Sequence, residues 1–270
     1  MKRNGLTKEM LFQIFSLLVI FILVHATYVA LIRPSAQAFL KAQQEMAKEG
    51  SGFMQSQNIY VVLKDYEQEA CIVLMLWALS IMAWKAYHIY KQQQLLEKDI
   101  LQLPDGLPIG PEDTHELQKR IMENTKSCPY CLLPRALRTA IQRFAATLNV
   151  HDAATAVRDV CDSEAERQEA ELSIIRYIAW AIPSVGFIGT VRGIGAALAQ
   201  ANKAVEGDIT GVTQNLGVAF NSTFVALVLS IVLMFFIHQL QLMQERLVLD
   251  TEDYCEQHLI SRLHTPVKPL

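Results

Sequence analysis

The sequence predicts an all-α, polytopic membrane protein, with four transmembrane helices and helical extensions into the cytoplasm. Of its 270 residues, 51% are hydrophobic and only 19% are charged, whereas soluble domains carry about 25% charged residues. The charge is also unevenly placed, because long apolar segments alternate with charged, helix-forming sequence. Four of the apolar segments are long enough for a helix of about 20 residues to cross a hydrocarbon core of roughly 30 Å.

The first two predicted spans lie within residues 1–33 and 70–90. The first contains His25, which we expect to be a packed or interfacial histidine rather than a proton relay. The second is apolar until it reaches Lys85, whose long side chain can snorkel to the membrane interface. The last two spans are predicted to form a pore-forming hairpin over residues 174–240.

Lysine and arginine near the span ends predict the orientation in the membrane. They favour a cytoplasmic N-terminus, a cytoplasmic helical segment over 91–173 and a cytoplasmic C-terminal helix and tail over 241–270. The 34–69 segment and the 201–215 link are predicted to lie outside. Arg33, at the outer end of the first span, is the one charge that counts against this orientation.

A cleaved signal peptide is an alternative interpretation of the start of the chain. Ala36-Gln37-Ala38 has the small-x-small pattern of a cleavage site. The apolar run Met10–Ile32 covers about 23 residues, however, and the apolar core of a signal peptide has roughly 7–15. Arg33 also lies between this run and the triplet. Cleavage would leave three spans in the same orientation.

The predicted external segment 34–69 contains a helix-forming run, Ala36–Lys48, and then the turn Gly50–Gly52. The apolar residues Ile59–Leu63 are expected to extend the second span towards the outside. We expect no chemistry from this segment.

The predicted cytoplasmic segment contains the turn-rich linker Leu103–Pro111 and, around Leu137 and Phe144, apolar residues at helical spacing. Cys128-Pro129-Tyr130-Cys131 matches the dithiol motif of glutaredoxins. A redox pair of that kind follows a strand and begins a helix, and no strand pattern precedes Cys128. We therefore interpret the pair as incidental.

The third span combines a proline with a row of glycines. Gly186, Gly189 and Gly193 lie three and four residues apart, so they share one face of a helix. In lipid, helices associate through such small-residue surfaces. Pro183 removes one backbone hydrogen bond and can kink the helix. These features alone are compatible with tight packing in any polytopic membrane protein.

The order of these residues resembles the MotA/TolQ/ExbB proton-channel family. The pattern Pro183-x-x-Gly186-x-x-Gly189-Thr190-Val191-x-Gly193-Ile194 is similar to the second span of ExbB and TolQ. The following span, from Leu216 to Leu227, is similar to the last span of that family, in which a small residue and a threonine recur at Ser222 and Thr223. The resemblance covers roughly residues 165–260.

The resemblance implies a stator or motor subunit in the inner membrane of a bacterium. Family members form a ring of five around two copies of a single-span partner resembling ExbD, TolR or MotB. An aspartate in the span of that partner accepts and releases protons, and the proton flow drives mechanical work. The expected partners are therefore further copies of this chain, the single-span protein and membrane lipid.

A proton path needs ionisable or hydroxyl groups inside the membrane, and the apolar interior of the four predicted spans contains no Asp or Glu. The carboxylate would therefore come from the partner. Thr190 and Thr223, together with Ser222 and Asn221, are predicted to line the pore. The alternative is that these hydroxyls bond back to their own helices, which is common in membranes.

Two positions depart from the family pattern. Val218 stands where ExbB and TolQ carry a glutamate, and Arg192 stands where they carry an aromatic residue. An arginine facing lipid would cost a few kcal/mol. We expect Arg192 to snorkel to the outer surface or to pair with Glu206, Asp208 or an acid of the partner.

Other classes of function have weaker support. The net charge of −3 gives no basic footprint for nucleic acid. We find no nucleophile triad, no phosphate-binding glycine loop and no pattern of metal ligands, so neither enzyme activity nor a cofactor is expected. Two alternatives remain: a non-conducting oligomeric membrane scaffold and a membrane-bound dithiol redox protein.

Overall fold

A computed structural model of the chain describes residues 3–48, 58–101, 108–126 and 128–264. Within these ranges the chain is helical and contains no strand, so the predicted all-α, polytopic membrane fold is confirmed. By length and composition, four helical segments could cross a membrane: Glu9–Gln43, Tyr66–Leu96, Val150–Leu198 and Thr210–Arg262.

The helices are named here in chain order. The long ones are α1 (Arg3–Thr27), α4 (Tyr66–Leu96), α7 (Val150–Leu198) and α9 (Thr210–His258). A π-helical turn, Tyr28–Ile32, joins α1 directly to α2 (Arg33–Lys48). The shorter helices are α3 (Ile59–Leu63), α5 (Thr114–Asn124), α6 (Leu132–Thr147) and α8 (Ala201–Val205).

The predicted extension of the second span is wrong. Ile59–Leu63 forms a separate helix, α3, and Lys64 and Asp65 interrupt the helix before α4 begins at Tyr66. The Asn58 side chain caps α3 by accepting a hydrogen bond from the Tyr60 amide at 3.0 Å, as asparagine often does at helix starts. The predicted turn at Gly50–Gly52 lies outside the described residues.

The chain divides into two compact units, and unit 1 contains residues 1–82 and 174–237. Its outward-facing side chains are large and apolar: Trp180, Phe187, Phe220 and Phe224 are each more than half exposed. The buried residues include small ones, such as Ala219 and Ala226, as well as large ones, such as Leu233. In a water-soluble protein, large exposed apolar patches mark interaction surfaces, and this outer surface suits contact with lipid.

Unit 2 contains residues 83–173 and 238–270 and has a conventional hydrophobic core. Leu137 and Phe144 of α6 are fully buried against apolar residues of the neighbouring segments. The Tyr254 hydroxyl accepts a hydrogen bond from the Ile100 amide at 3.1 Å. Ile109 pairs with Leu263 in an isolated parallel bridge.

Three side chains of unit 2 make contacts that the sequence did not predict. Lys85 does not snorkel: it is only 6% exposed and donates to Glu171 at 2.8 Å, because a buried ammonium group requires an anionic partner. Cys128 and Cys131 form a disulfide, and Cys131 is the N-cap of α6. No strand precedes this pair in the described residues.

Candidate functional site

The glycine row of α7 packs directly against small residues of α9. Gly186, Gly189 and Gly193 face Ala226, Ser222 and Ala219 respectively, so the two helices contact each other over two turns. A Cβ atom at Gly193 would lie 2.7 Å from the Ala219 Cβ and 2.8 Å from its backbone nitrogen. No larger residue fits there without moving the backbone of α9.

This close approach brings Thr190 and Thr223 together. Their hydroxyl groups are hydrogen-bonded to each other between α7 and α9, and both side chains are half-buried. Thr190 Oγ1 also lies 3.1 Å from the Ala219 carbonyl and 3.3 Å from the Gly186 carbonyl. Thr223 Oγ1 lies 3.3 Å from the same Gly186 carbonyl. The pair thus has partners within its own helices and across the helix contact.

Ser222 and Asn221 occupy different environments from the two threonines. Ser222 is buried, donates to the Val218 carbonyl at 2.9 Å and accepts a hydrogen bond from the Gln68 amide at 3.4 Å. Asn221 is half-buried. The assignment of these side chains to a pore stays a prediction.

Pro183 lies inside α7, and the helix continues past it. Because proline has no N–H group, the carbonyl of Ala179, four residues earlier, loses its usual helical donor. The Ser230 hydroxyl of α9 donates to this carbonyl at 3.2 Å. Close by, the Cys71 thiol of α4 donates to the Ile182 carbonyl at 3.6 Å. The Ala179 carbonyl, which lacks a helical donor because of Pro183, is therefore bound by a side chain of a neighbouring helix.

Arg192 forms an ion pair that the sequence analysis did not name. The expectation there was snorkelling to the outer surface, or pairing with Glu206, Asp208 or an acid of the partner. Its guanidinium group binds Glu67 of α4 through two contacts, at 2.7 and 2.8 Å, and Asp65 lies 3.9 Å away. Glu67 is largely buried, which makes a cationic partner necessary.

Glu69 holds a second ion-pair cluster, which the sequence analysis missed. One carboxylate oxygen lies 2.7 Å from His25 Nδ1, and the other pairs with Arg33. The Arg33 guanidinium also stacks over the Tyr66 ring, 4.2 Å from its centroid. The available signal was the run Asp65-x-Glu67-x-Glu69 before the second span, together with arginines at the ends of two other spans.

Two carboxyl groups outside the spans have shifted pKa values. Burial raises the pKa of Asp65, and this effect exceeds the opposing effect of Lys64 and Arg192. The pKa of Asp208, in the link between α8 and α9, is lowered because the Thr210 hydroxyl and amide donate hydrogen bonds to its carboxylate.

Residues 132–253 match the MotA/TolQ/ExbB proton channel family. Over these residues the chain is similar to that family, and the predicted resemblance is confirmed. No curated protein and no solved structure matches the chain. With four helices suited to spanning a bilayer, the chain is a multi-pass membrane protein.

The MotA/TolQ/ExbB match contains α6, α7 and most of α9, and hence the glycine row and both threonines. It does not contain Asp65, Glu67 or Glu69. The acidic side chains that bind Arg192 and Arg33 are therefore contributed by a part of this chain outside the family match. In the described residues, no group of three or more His, Cys, Asp or Glu side chains could hold a metal ion.

Proposed function

We propose that this chain is the channel subunit of a motor driven by the proton-motive force in a bacterial inner membrane. It forms a ring of five copies around two copies of a single-span partner similar to ExbD, TolR or MotB, and converts proton flow into mechanical work. The observation that supports this most directly is the Thr190–Thr223 hydroxyl pair, which lies in the glycine-packed hairpin within the family match.

The composition of the hairpin supports a division of labour with the partner. Residues 174–205 and 209–244 contain no Asp or Glu, so these stretches supply no carboxylate that could carry a proton. Threonine hydroxyls both donate and accept hydrogen bonds and can therefore line a proton path. The proton-binding carboxylate inside the membrane then belongs to the span of the partner.

The outer surfaces of α7 and α9 support assembly within a membrane. Phe187 and Val191 on α7, like Phe220 and Phe224 on α9, are more than half exposed in the single chain. In a soluble protein, large apolar patches of this kind mark interaction surfaces. In the proposed ring these side chains contact neighbouring copies of the chain and lipid.

Purification from the native host in mild detergent tests this function. We expect a native mass equal to five copies of this chain plus two copies of a single-span protein with an aspartate in its span. A homo-oligomer without such a partner, which also fails to pass protons in liposomes, would support the non-conducting scaffold instead.

A further inference from the structure

Three buried polar atoms, one in the π-helical turn after α1 and two around the start of α4, have no partner among the described residues. They are Tyr28 Oη, Asp65 Oδ2 and Gln68 Oε1. Tyr28 and Gln68 are each only 1% exposed. A buried polar atom without a hydrogen bond is costly, and native proteins normally satisfy it with a side chain or a water molecule.

These unpartnered atoms belong to one region of unit 1. The Arg33 guanidinium lies 5.7 Å from the centroid of the Tyr28 ring and pairs with Glu69. The Asp65 carbonyl accepts a hydrogen bond from the Glu69 amide at 3.2 Å, so Asp65 continues the helical geometry at the start of α4. Asp65 and Gln68 are three residues apart and therefore lie on the same side of this first turn. The region is polar enough to hold ordered water, which needs two to four polar partners.

Within the part of the chain that the structure describes, one carboxylate of this region lacks a close cation. Glu67 takes both near contacts of Arg192, and Glu69 takes His25 and Arg33. Among the described residues, Asp65 has only Arg192 as a cationic partner, at 3.9 Å. The charged groups that influence Asp65 are Lys64, Arg192, Glu67 and Arg33.

The same turn of α4 contacts the threonine-bearing hairpin. The Glu67 Cγ atom would lie 3.2 Å from a Cβ at Gly189, which precedes Thr190. The Gln68 amide donates to Ser222, which precedes Thr223. Asp65 is 18% exposed, so water reaches its side chain while its Oδ2 atom faces the interior.

We propose that Asp65, with Tyr28 and Gln68, forms a hydrated proton-uptake site that supplies the Thr190–Thr223 pair from the outer side of the membrane. A hydronium ion gives its proton to the Asp65 carboxylate, forming the Oδ2–H bond and leaving water. The acid then releases this proton to internal water and returns to the carboxylate. The inference rests on the proposed function, and it adds to the partner's carboxylate a second proton-binding residue, which lies in this chain just before the span Tyr66–Leu96.

The pKa of Asp65 supports the site, since burial raises it above the ordinary aspartate value. A raised pKa shifts proton release towards neutral pH, which suits a group that must both bind and release protons. Asp208 provides a matched control, because it is exposed, lies in the 201–215 link of the same unit and has a lowered pKa.

The test is proton uptake by the purified complex in liposomes that contain a pH-sensitive dye, driven by a potassium gradient with valinomycin. Asp65→Asn is expected to reduce uptake by about tenfold or more, while Asp65→Glu retains most of it. Asp208→Asn should leave uptake within about twofold of the wild type. The dependence of uptake on outer pH should show an inflection in the wild type that disappears in Asp65→Asn. Native mass verifies that each variant assembles.

Wild-type uptake in Asp65→Asn would overturn this inference and leave the proposed function intact. An absence of uptake in the wild type would count against the proposed function itself. In that case, infrared titration of the full chain tests the site independently, through the C=O stretch of a protonated carboxylic acid. In the wild type this signal should persist at pH values above the ordinary aspartate range. Its loss at those pH values in Asp65→Asn supports the site, whereas an unchanged signal in this variant overturns the site.

Discussion

Units 1 and 2 of this chain pack by opposite rules. In unit 1, the contact between α7 and α9 is made by Gly193 and Ala219, among the smallest residues available. In unit 2, the core is made by Phe144, Leu137 and other large apolar side chains. Burial of apolar surface stabilises a core surrounded by water. It gives no comparable gain between helices surrounded by lipid, where close backbone contact replaces it.

The difference shows where each unit is sensitive to substitution. Unit 2 depends on the volume of its buried side chains, so truncation should be costly there. Unit 1 depends on the absence of volume at the helix contact, and there enlargement should be costly. Internal polar contacts matter more in unit 1, because lipid offers no alternative hydrogen-bonding partners.

The largest effect is expected from Phe144→Ala in unit 2. Phe144 is fully buried, and truncation of a buried phenylalanine costs about 3–5 kcal/mol. Hydrogen exchange of the α6 amides in the purified full chain measures this loss. Phe224→Ala in unit 1 is the control, because Phe224 is 64% exposed. An equal loss in both variants would break the comparison.

Gly193→Val should be the most harmful enlargement in unit 1. Its Cβ would clash with backbone atoms of Ala219, and overpacking costs about 1–3 kcal/mol. The apparent unfolding midpoint in detergent should fall accordingly. Gly195→Val, two residues away, has open space around its Cβ and should change the midpoint little. If both substitutions lower the unfolding midpoint equally, the contact between α7 and α9 is not the cause of the loss.

The ion pair of Glu67 with Arg192 should couple more strongly than a surface pair of unit 2. A double-mutant cycle with Glu67→Gln and Arg192→Gln is expected to give about 1–2 kcal/mol, because one partner is largely buried. The pair Arg158–Glu252 is 71% and 37% exposed and should give less than about 0.5 kcal/mol. Equal coupling energies would contradict the distinction between the units.

The smallest predicted effect concerns the carbonyl left unpaired by Pro183. Ser230→Ala removes its donor and should cost about 0.5–1.5 kcal/mol. In a Pro183→Ala background the helix supplies its own N–H to Ala179, so the same change should cost less. Unfolding midpoints of the wild type, the two single variants and the double variant measure this difference. An unchanged cost of Ser230→Ala would show that the proline is irrelevant.

Composition and periodicity were sufficient to predict the membrane fold and the glycine face of α7, because length, apolarity and i, i+3, i+4 spacing are local properties. The partner of Arg192 was not predictable in this way. Glu67 lies 125 residues away in the chain, and only the packing of α4 against α7 brings the two together. The break between α3 and α4 lies at Lys64 and Asp65, and no glycine or proline marks it in the sequence. The spacing of Cys128 and Cys131 also did not predict that the two residues form a disulfide.

The central claim is that Thr190 and Thr223 belong to a proton path. The most direct measurement is potential-driven proton uptake by liposomes that contain the purified complex, with Thr190→Val and Thr223→Val compared with the wild type. Thr139→Val is the matched control, because the Thr139 hydroxyl donates only to the Arg135 carbonyl of its own helix, at 2.8 Å. We expect each of the first two variants to assemble normally and to lose uptake, and Thr139→Val to retain it. Normal uptake in both assembled variants would contradict the account.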